Sequence, residues 1–555
     1  MTENTNRRRS LAYICVLVIA FIIITLLSLQ GSGYAGVMVL QSAVYEQIAL
    51  QTSGSTPPQP KTTIGPVVIF PNMPRTSQSV PTTTTSPSVP QNVPESPTAP
   101  FLLAQKSSKN PNDIIPTNTA SLSKKSSNEN ISGGLSACNG TDLACLADKL
   151  ATQTNASSAR SLTLCILDES YIEVFVNFAE SATSVSVRNI LPVTLSLVAH
   201  KSLQARGYPN YYEPSIAGIA SKESAFASLE FKKKGAVKFR SSLSLLRLGY
   251  SVLLLDLDNF FVRNPFNYFN CTKCDFEVEI DVPWDQNAIC VGIVFFRPTS
   301  AMMQFLQEMT EKMANNPNLW DQGLFAQMAP QWRKEGRLNF KMLPFNQFPT
   351  GVQVFYSNID IFKLNITKET VIYHNNWSFG TDAKVYRAKE LGAWILDKDL
   401  YYSDPKRKYI TYDNPLKEYV DKEKSILSMA LAIAELLDRT LILPTFHCPK
   451  KVEMKCSLER VDDITEFNKK YKASYREHYF LKHKKVPIEI KSSISKPVFI
   501  KTNLTEGKNL DLKDCHVFRP AASTGPSVTE LLSWLQAYKS KAIISFHSMY
   551  FKIYD

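Results

Sequence analysis

The chain has 555 residues, 44% apolar and 11% aromatic, with 32 prolines and a formal charge of +12. Twelve prolines fall between Gln51 and Pro100, where only Lys61, Arg75 and Glu95 are charged, so the folded part holds two domains at most. The composition excludes a fibrous, collagen-like or wholly disordered protein, and a single long apolar run excludes a multi-span membrane protein.

Arg7, Arg8 and Arg9 precede an uncharged run from Leu11 to Leu29. At the helical rise its length is about 28 Å, close to the hydrocarbon thickness of a bilayer. The arginines place residues 1–10 in the cytosol, and the expectation is a single-pass type II signal anchor at 11–29. A cleaved signal peptide ending near Gly36 is the rival, but cleavable apolar regions are shorter. Residues 30–157 are rich in Ser, Thr, Pro, Gln and Asn and read as a disordered, O-glycosylated stem. Seven Asn-x-Ser/Thr triplets, at Asn130, Asn139, Asn155, Asn270, Asn365, Asn376 and Asn503, agree with a secretory compartment. Cys138 and Cys145 are close enough to bridge, as are Cys448 and Cys456. Cys271 and Cys274 could form half a zinc site, but with no second CxxC or His pair a lumenal disulfide or an unpaired couple is the better reading. Nine cysteines follow the anchor, so at least one is free or intermolecular.

From Ser161 strands and helices alternate. Leu162–Leu167 is strand-like, Tyr171–Ala179 has helical spacing, and Ile190–Ala199 is strand-like again. Lys238–Leu248 predicts a helix stopped by Gly249, and Val252–Leu255 a strand buried on both faces. This alternation predicts a mostly parallel sheet covered by helices, whose ligands bind beyond the carboxyl ends of the strands.

Asp256-Leu-Asp258 follows that buried strand. Two carboxylates at i and i+2 of extended chain point the same way and need a cation near them. A hard divalent ion, Mn²⁺ or Mg²⁺, fits such oxygen ligands and also takes substrate phosphates. Trp320-Asp321-Gln322 opens a short predicted helix. Val371–His374 is an apolar strand ending on a histidine able to serve as a third ligand. Gly380 then permits close backbone approach, and Lys384 supplies charge for a diphosphate. A dehalogenase-type phosphatase shares the strand–Asp-x-Asp pattern, but it has Thr or Val where Phe260 stands.

The ordered set resembles the nucleotide-diphospho-sugar transferases typified by plant rhamnogalacturonan xylosyltransferases and extensin arabinosyltransferases. The matching text is Lys238–Phe266, Gly292–Thr299, Trp320–Gln322, His374–Lys384 and Gly392–Trp394, spanning roughly 160–400. The resemblance implies a GT-A fold, a divalent metal and retaining transfer from a UDP-sugar. It implies Asp258, Asp256 and His374 as metal ligands. Asp256, Lys238, Arg240, Asn376, Gly380 and Lys384 meet the donor, and Asp321 and Gln322 face the sugar. Asp321, the carboxylate free of metal duty, is then the nucleophile or stabiliser unless it only caps a helix. The family often has Trp where Phe261 stands and Asn-x-Gly where Cys290-Val291-Gly292 stands; the second departure bears on donor choice. Asn376, inside this set, is expected to be unglycosylated.

Residues 158–400 are therefore expected to form a GT-A-like α/β domain and 401–555 a smaller α/β accessory region. The latter carries about +8 of the net charge, a predicted helix at Ser428–Leu437 and a strand at Arg439–Pro444. Its basic, tyrosine-rich stretch Lys469–Lys485 reads as a solvated face or as a surface for acidic glycans. Nucleic acid is not expected as the partner of a lumenal domain. The leading expectation is a Golgi type II glycosyltransferase acting on a glycan or glycoprotein. A phosphatase, or a non-catalytic stalked protein that binds sugar, is the alternative.

Overall fold

The computed structural model describes Cys138 and residues 142–154, 157–219, 223–356, 368–413, 422–448, 451–505 and 510–554, all within the compact unit Ala120–Asp555. The expected anchor at 11–29, nearly all of the stem, and Asn130, Asn139, Asn155 and Asn365 lie outside the described residues. Among the described residues no helix is long and apolar enough to cross a membrane.

The first sheet contains β1 (Thr152–Thr154), β2 (Ser157–Leu167), β3 (Ile190–Thr194), β4 (Tyr211–Tyr212) and β5 (Ser251–Leu255). After a short strand outside it, β6 (Asn259–Phe261), come β7 (Phe276–Val282), β8 (Asp285–Phe296) and β9 (Phe340–Met342). The order is β4-β3-β2-β5-β8-β7-β9, with β1 on β2. Strands β4, β3, β2 and β5 run parallel, β8 is antiparallel to β5 and β7, and β9 is parallel to β7. The expected mixed, mostly parallel sheet is thus present.

Helices cover both faces. They are α1 (Leu143–Leu150), α2 (Ile172–Ser184), α3 (Leu197–Ala205), α4 (Leu229–Arg247), α5 (Ser300–Asn315) and α6 (Asp321–Lys334). In β5, Val252 and Leu254 join the core under α4, α5 and α6, while Leu253 and Leu255 join the core under α2. Burial on both faces is why this strand reads as an unbroken apolar run. The strand expected to reach Ala199 stops at Thr194, because Ser196 Oγ accepts the Ala199 N–H at 3.1 Å and starts α3. Helix α4 begins nine residues earlier than Lys238, at Leu229, where Ser228 caps it. It ends as expected at Gly249, whose φ of +83° suits a residue without a Cβ.

Beyond this sheet, β10 (Ile372–His374) pairs antiparallel with β6, and α7 (Thr381–Glu390) follows. The remaining strands are β11 (Tyr409–Tyr412), β12 (Thr440–Ile442), β13 (Phe446–Cys448), β14 (Lys451–Cys456), β15 (Tyr475–Arg476), β16 (Val498–Ile500), β17 (His516–Phe518) and β18 (Ile543–Phe546). Six form an all-parallel sheet in the order β15-β12-β11-β18-β16-β17, with α8 (Glu423–Leu436) leading into β12; β13 and β14 pair separately. The C-terminal region is therefore α/β; its helix starts at Glu423, five residues before the expected Ser428, and its strand falls within the expected Arg439–Pro444. One apolar cluster contains Leu253 and Ile372 together with Tyr409, Ile442, Phe480 and Ile543, so a common core joins the two sheets. Tyr475 and Phe480 of the basic stretch are buried in these cores, which leaves lysines as its outer face. Disulfides link Cys138–Cys145, Cys271–Cys274 and Cys448–Cys456, and Cys165, Cys290 and Cys515 are free.

Candidate active site

The site grows from the carboxyl end of β5, as the parallel topology requires. Asp256 follows the strand and its N–H donates to the Gly292 carbonyl on β8 at 3.0 Å. The chain turns at Asp256–Asp258 and enters β6, and the β6–β10 register sets His374 opposite Asn259. Asn375 N–H closes the pairing on the Asp258 carbonyl at 2.9 Å. A residue 116 positions downstream is thereby delivered to the Asp-x-Asp turn. One ligand atom each from Asp256, Asp258 and His374 lies within 4.8 Å of the others. A Cβ on Gly292 would stand 2.0 Å from His374 Cε1, so only glycine admits the imidazole here.

Charge is concentrated at this point. His374 Nε2 is 3.5 Å from Asp258 Oδ1, and its Nδ1 is 2.7 Å from Glu279 Oε2. Lys384 Nζ is 2.8 Å from Asp258 Oδ2; Lys238 Nζ is 2.5 Å from Asp256 Oδ1 and 3.8 Å from Asp321 Oδ2. Burial alone would raise the Asp258 carboxyl, but Lys384 and His374 more than reverse this and hold it below the usual range. Burial alone would lower His374, yet Glu279 and Asp258 hold it well above its ordinary value. Burial pushes Glu279 up to about 7 and also raises Asp281 and Asp321.

Five carboxylates (Asp256, Asp258, Glu279, Asp281 and Asp321) thus face two lysines and one imidazole. Asp256 and Asp258 supply hard carboxylate oxygens and His374 a borderline imidazole nitrogen, a set that fits Mn²⁺ better than Mg²⁺. Asp258 Oδ2 is buried and, apart from the Lys384 ammonium, has no hydrogen-bond partner.

Most of the expected residues meet here. Gln322 Nε2 donates to Asp281 Oδ2 at 3.4 Å, and Asn376 Nδ2 to Asp281 Oδ1 at 3.3 Å. Asn376 Oδ1 also accepts the Gly351 N–H at 2.8 Å. Both ends of that amide are engaged inside the site. Asp321 is the first residue of α6, where its Oδ1 accepts the Gln322 N–H at 2.9 Å, so it serves the helix start while lying buried close to Lys238. Gly380 has φ of +83°, which a side chain would strain, and opens α7. Behind it the Thr381 N–H and hydroxyl both donate to Glu223, so this helix start holds a carboxylate. Arg240 is not brought to the cluster. Two residues past Lys238 it lies about 200° around α4, exposed, and donates to Ser215 Oγ at 3.0 Å.

Glu279, Asp281 and Cys290 enter the site beyond the expected residues. Glu279 and Asp281 belong to β7, where Glu277, Glu279 and Asp281 alternate with Val278 and Ile280. Such alternation ordinarily marks a half-solvated strand, but Glu277 and Glu279 are fully buried. Cys290, paired across from Glu279, places Sγ 3.7 Å from His374 Nδ1 and accepts from Asn376 Nδ2 at 3.6 Å. Asp281 also accepts the Trp377 indole N–H at 3.0 Å.

Residues 185–388 match the family model described as nucleotide-diphospho-sugar transferase. The arabinosyltransferase XEG113 of Arabidopsis thaliana is 24% identical over 325 residues, covering 50% of this chain and 49% of that protein. A UDP-galactose:fucoside alpha-3-galactosyltransferase of Dictyostelium discoideum is 27% identical over 216 residues, covering 34% and 33%. The chain spans about half the length of these relatives or less. Among solved structures, the galactosyltransferase LgtC aligns with a TM-score of 0.27 at 10% identity, covering 41% of this chain and 93% of that one. Mouse xyloside xylosyltransferase 1 aligns with a TM-score of 0.26 at 12% identity, covering 39% and 98%. The likeness to that family therefore lies in residues 185–388, the stretch that carries Asp256, Asp258, His374 and Lys384.

Proposed function

We propose that the chain is a retaining, metal-dependent glycosyltransferase of GT-A type that moves a pentose or galactose from a UDP-sugar to a glycan or glycoprotein. The observation that carries this is the meeting of Asp256, Asp258 and His374 at the carboxyl end of β5, with lysines on either side. The relatives' names, which speak of arabinose, xylose and galactose, support the choice of sugar. The N-terminal arginines and apolar run support a Golgi membrane location with the site in the lumen.

Asp256, Asp258 and His374 are the residues that would hold Mn²⁺ or Mg²⁺. A divalent cation bound there supplies Lewis-acid stabilisation of the charge that grows on the leaving diphosphate. Lys384 and Lys238 add fixed positive charge beside it. Glu279, on the Nδ1 side of His374, orients the ring so that Nε2 faces Asp258. As the bond from the anomeric carbon to the diphosphate breaks, the sugar becomes oxocarbenium-like and needs a carboxylate near it. Asp321 and Asp281 are the candidates. Asp321 is buried against Lys238, whereas Asp281 is partly exposed and steadied by Gln322, Asn376 and Trp377.

The test is calorimetric binding of UDP with Mn²⁺ to the parent and to Asp258→Asn. The parent binds UDP only with the metal; the variant loses at least about ten-fold in affinity. Equal binding by the two refutes the assignment. Hydrolysis of UDP-xylose, UDP-galactose and UDP-arabinose then identifies the donor.

A further inference from the structure

Arg387, on α7, is fully buried. Its Nε donates to Glu459 Oε2 at 2.6 Å and its Nη2 to Oε1 at 2.7 Å, a two-pronged grip. The same guanidinium donates from Nη1 to the Asn376 carbonyl at 2.8 Å and from Nη2 to the Trp377 carbonyl at 3.0 Å. It lies over the Phe355 ring, 4.4 Å from the centroid. Glu459 sits in the turn Leu458–Arg460, three residues past the Cys448–Cys456 disulfide. The neighbouring Leu458 N–H donates to the Tyr386 hydroxyl, also on α7.

The two carbonyls belong to the turn that leaves β10. Asn376 and Trp377 lie two and three residues past His374, and both side chains hold Asp281. Trp377 has φ of +56°, a left-handed conformation that a bulky residue rarely adopts. A turn of this kind persists only where its surroundings hold it. Arg387 holds both of its peptide carbonyls and is itself aimed by Glu459. A buried ion pair is weak evidence for stability alone. The two carbonyl bonds are what a purely structural pair would lack.

We propose that Arg387 and Glu459 are positioning residues that set the Asn376–Trp377 turn of the donor site, so that the C-terminal region completes this site rather than standing apart from it. The inference rests on the transferase reading above.

The test compares the full-length parent with the double variant Arg387→Met/Glu459→Leu, which removes both charges and keeps the packing. Calorimetric binding of UDP with Mn²⁺ is measured alongside thermal unfolding. The expected result is UDP binding weaker by roughly 10–100-fold, the range typical of losing an outer-shell partner, with Tm close to the parent. A second variant, Glu459→Gln, keeps the side-chain shape and loosens the grip on Arg387; it is expected to weaken UDP binding less than the double variant does. A folded double variant that binds UDP as tightly as the parent overturns the proposal, and so does a folded Glu459→Gln protein with unchanged affinity if the double variant does not fold. A parent protein that fails to bind UDP with Mn²⁺ overturns the transferase reading itself, so the two failures are distinct.

Discussion

Asp281 and Asp321 are two carboxylates raised in the same direction by burial, one partly exposed and one fully enclosed. Asp321 lies under a lysine and packs on α4, where a Cβ at Gly235 would come within 2.7 Å of its Oδ2. Asp281 receives three side-chain N–H groups and keeps one side toward solvent. A group that stabilises a sugar cation must touch it, and hydrogen-bond donors that fix a carboxylate's direction serve that purpose. Asp281→Asn is therefore expected to lower kcat by about 10²-fold or more with little change in UDP affinity. Asp321→Asn, which releases Lys238, is expected to act mainly on KM for the donor. Steady-state kinetics of both variants check this; the opposite split would return the role to Asp321. Cys290 stands where the resembling family often has Asn. Burial raises its thiol well above the ordinary value, so it serves His374 and Asn376 as a neutral neighbour.

Helix α7 is the element that joins these parts. Lys384 reaches Asp258, Arg387 reaches the Asn376–Trp377 turn, and Glu390 is buried near the end of the helix; their spacing of three aligns them along one side. Glu390 is pushed up to about 8, chiefly by burial, with Glu477 and Glu459 adding to the rise against a hydrogen bond from Tyr386. The sign follows directly. Between the ordinary glutamate value and about 8, the native protein keeps a proton that the unfolded chain has lost, so stability falls as pH rises through that window. Glu390→Gln removes this term. The variant is expected to match the parent near pH 5, to exceed it in Tm above pH 8, and to show a flatter pH profile. Thermal unfolding at a series of pH values checks this, and parallel profiles would contradict it.

At the scale of the molecule, what could be read from the sequence was what local chemistry writes down. An apolar run that ends in Asp256-Leu-Asp258 declares a buried strand and its ligands, and Val371–His374 declares another. The extent of α4 was hidden because Phe231–Gly235 is largely polar, while the signal that starts the helix is the single hydroxyl of Ser228. Arg240 neighbours Lys238 in sequence, but the helical turn separates them. Glu279 and Asp281 are hidden in the sequence because alternating acids suggest solvent, and only the sheet order shows β7 between β8 and β9. Arg387 and Glu459, 72 residues apart, carry no mutual sign in one sequence.

The central claim is itself a statement about the whole fold, since β5 and β10 must meet before Asp256, Asp258 and His374 can share an ion. Its most direct test is anomalous diffraction at the manganese edge from crystals of the protein grown with UDP and Mn²⁺. A single strong peak within about 2.0–2.5 Å of carboxylate oxygens of Asp256 and Asp258 and of His374 Nε2 is the predicted result. Manganese density elsewhere, or none beside His374 while UDP is bound, would contradict it.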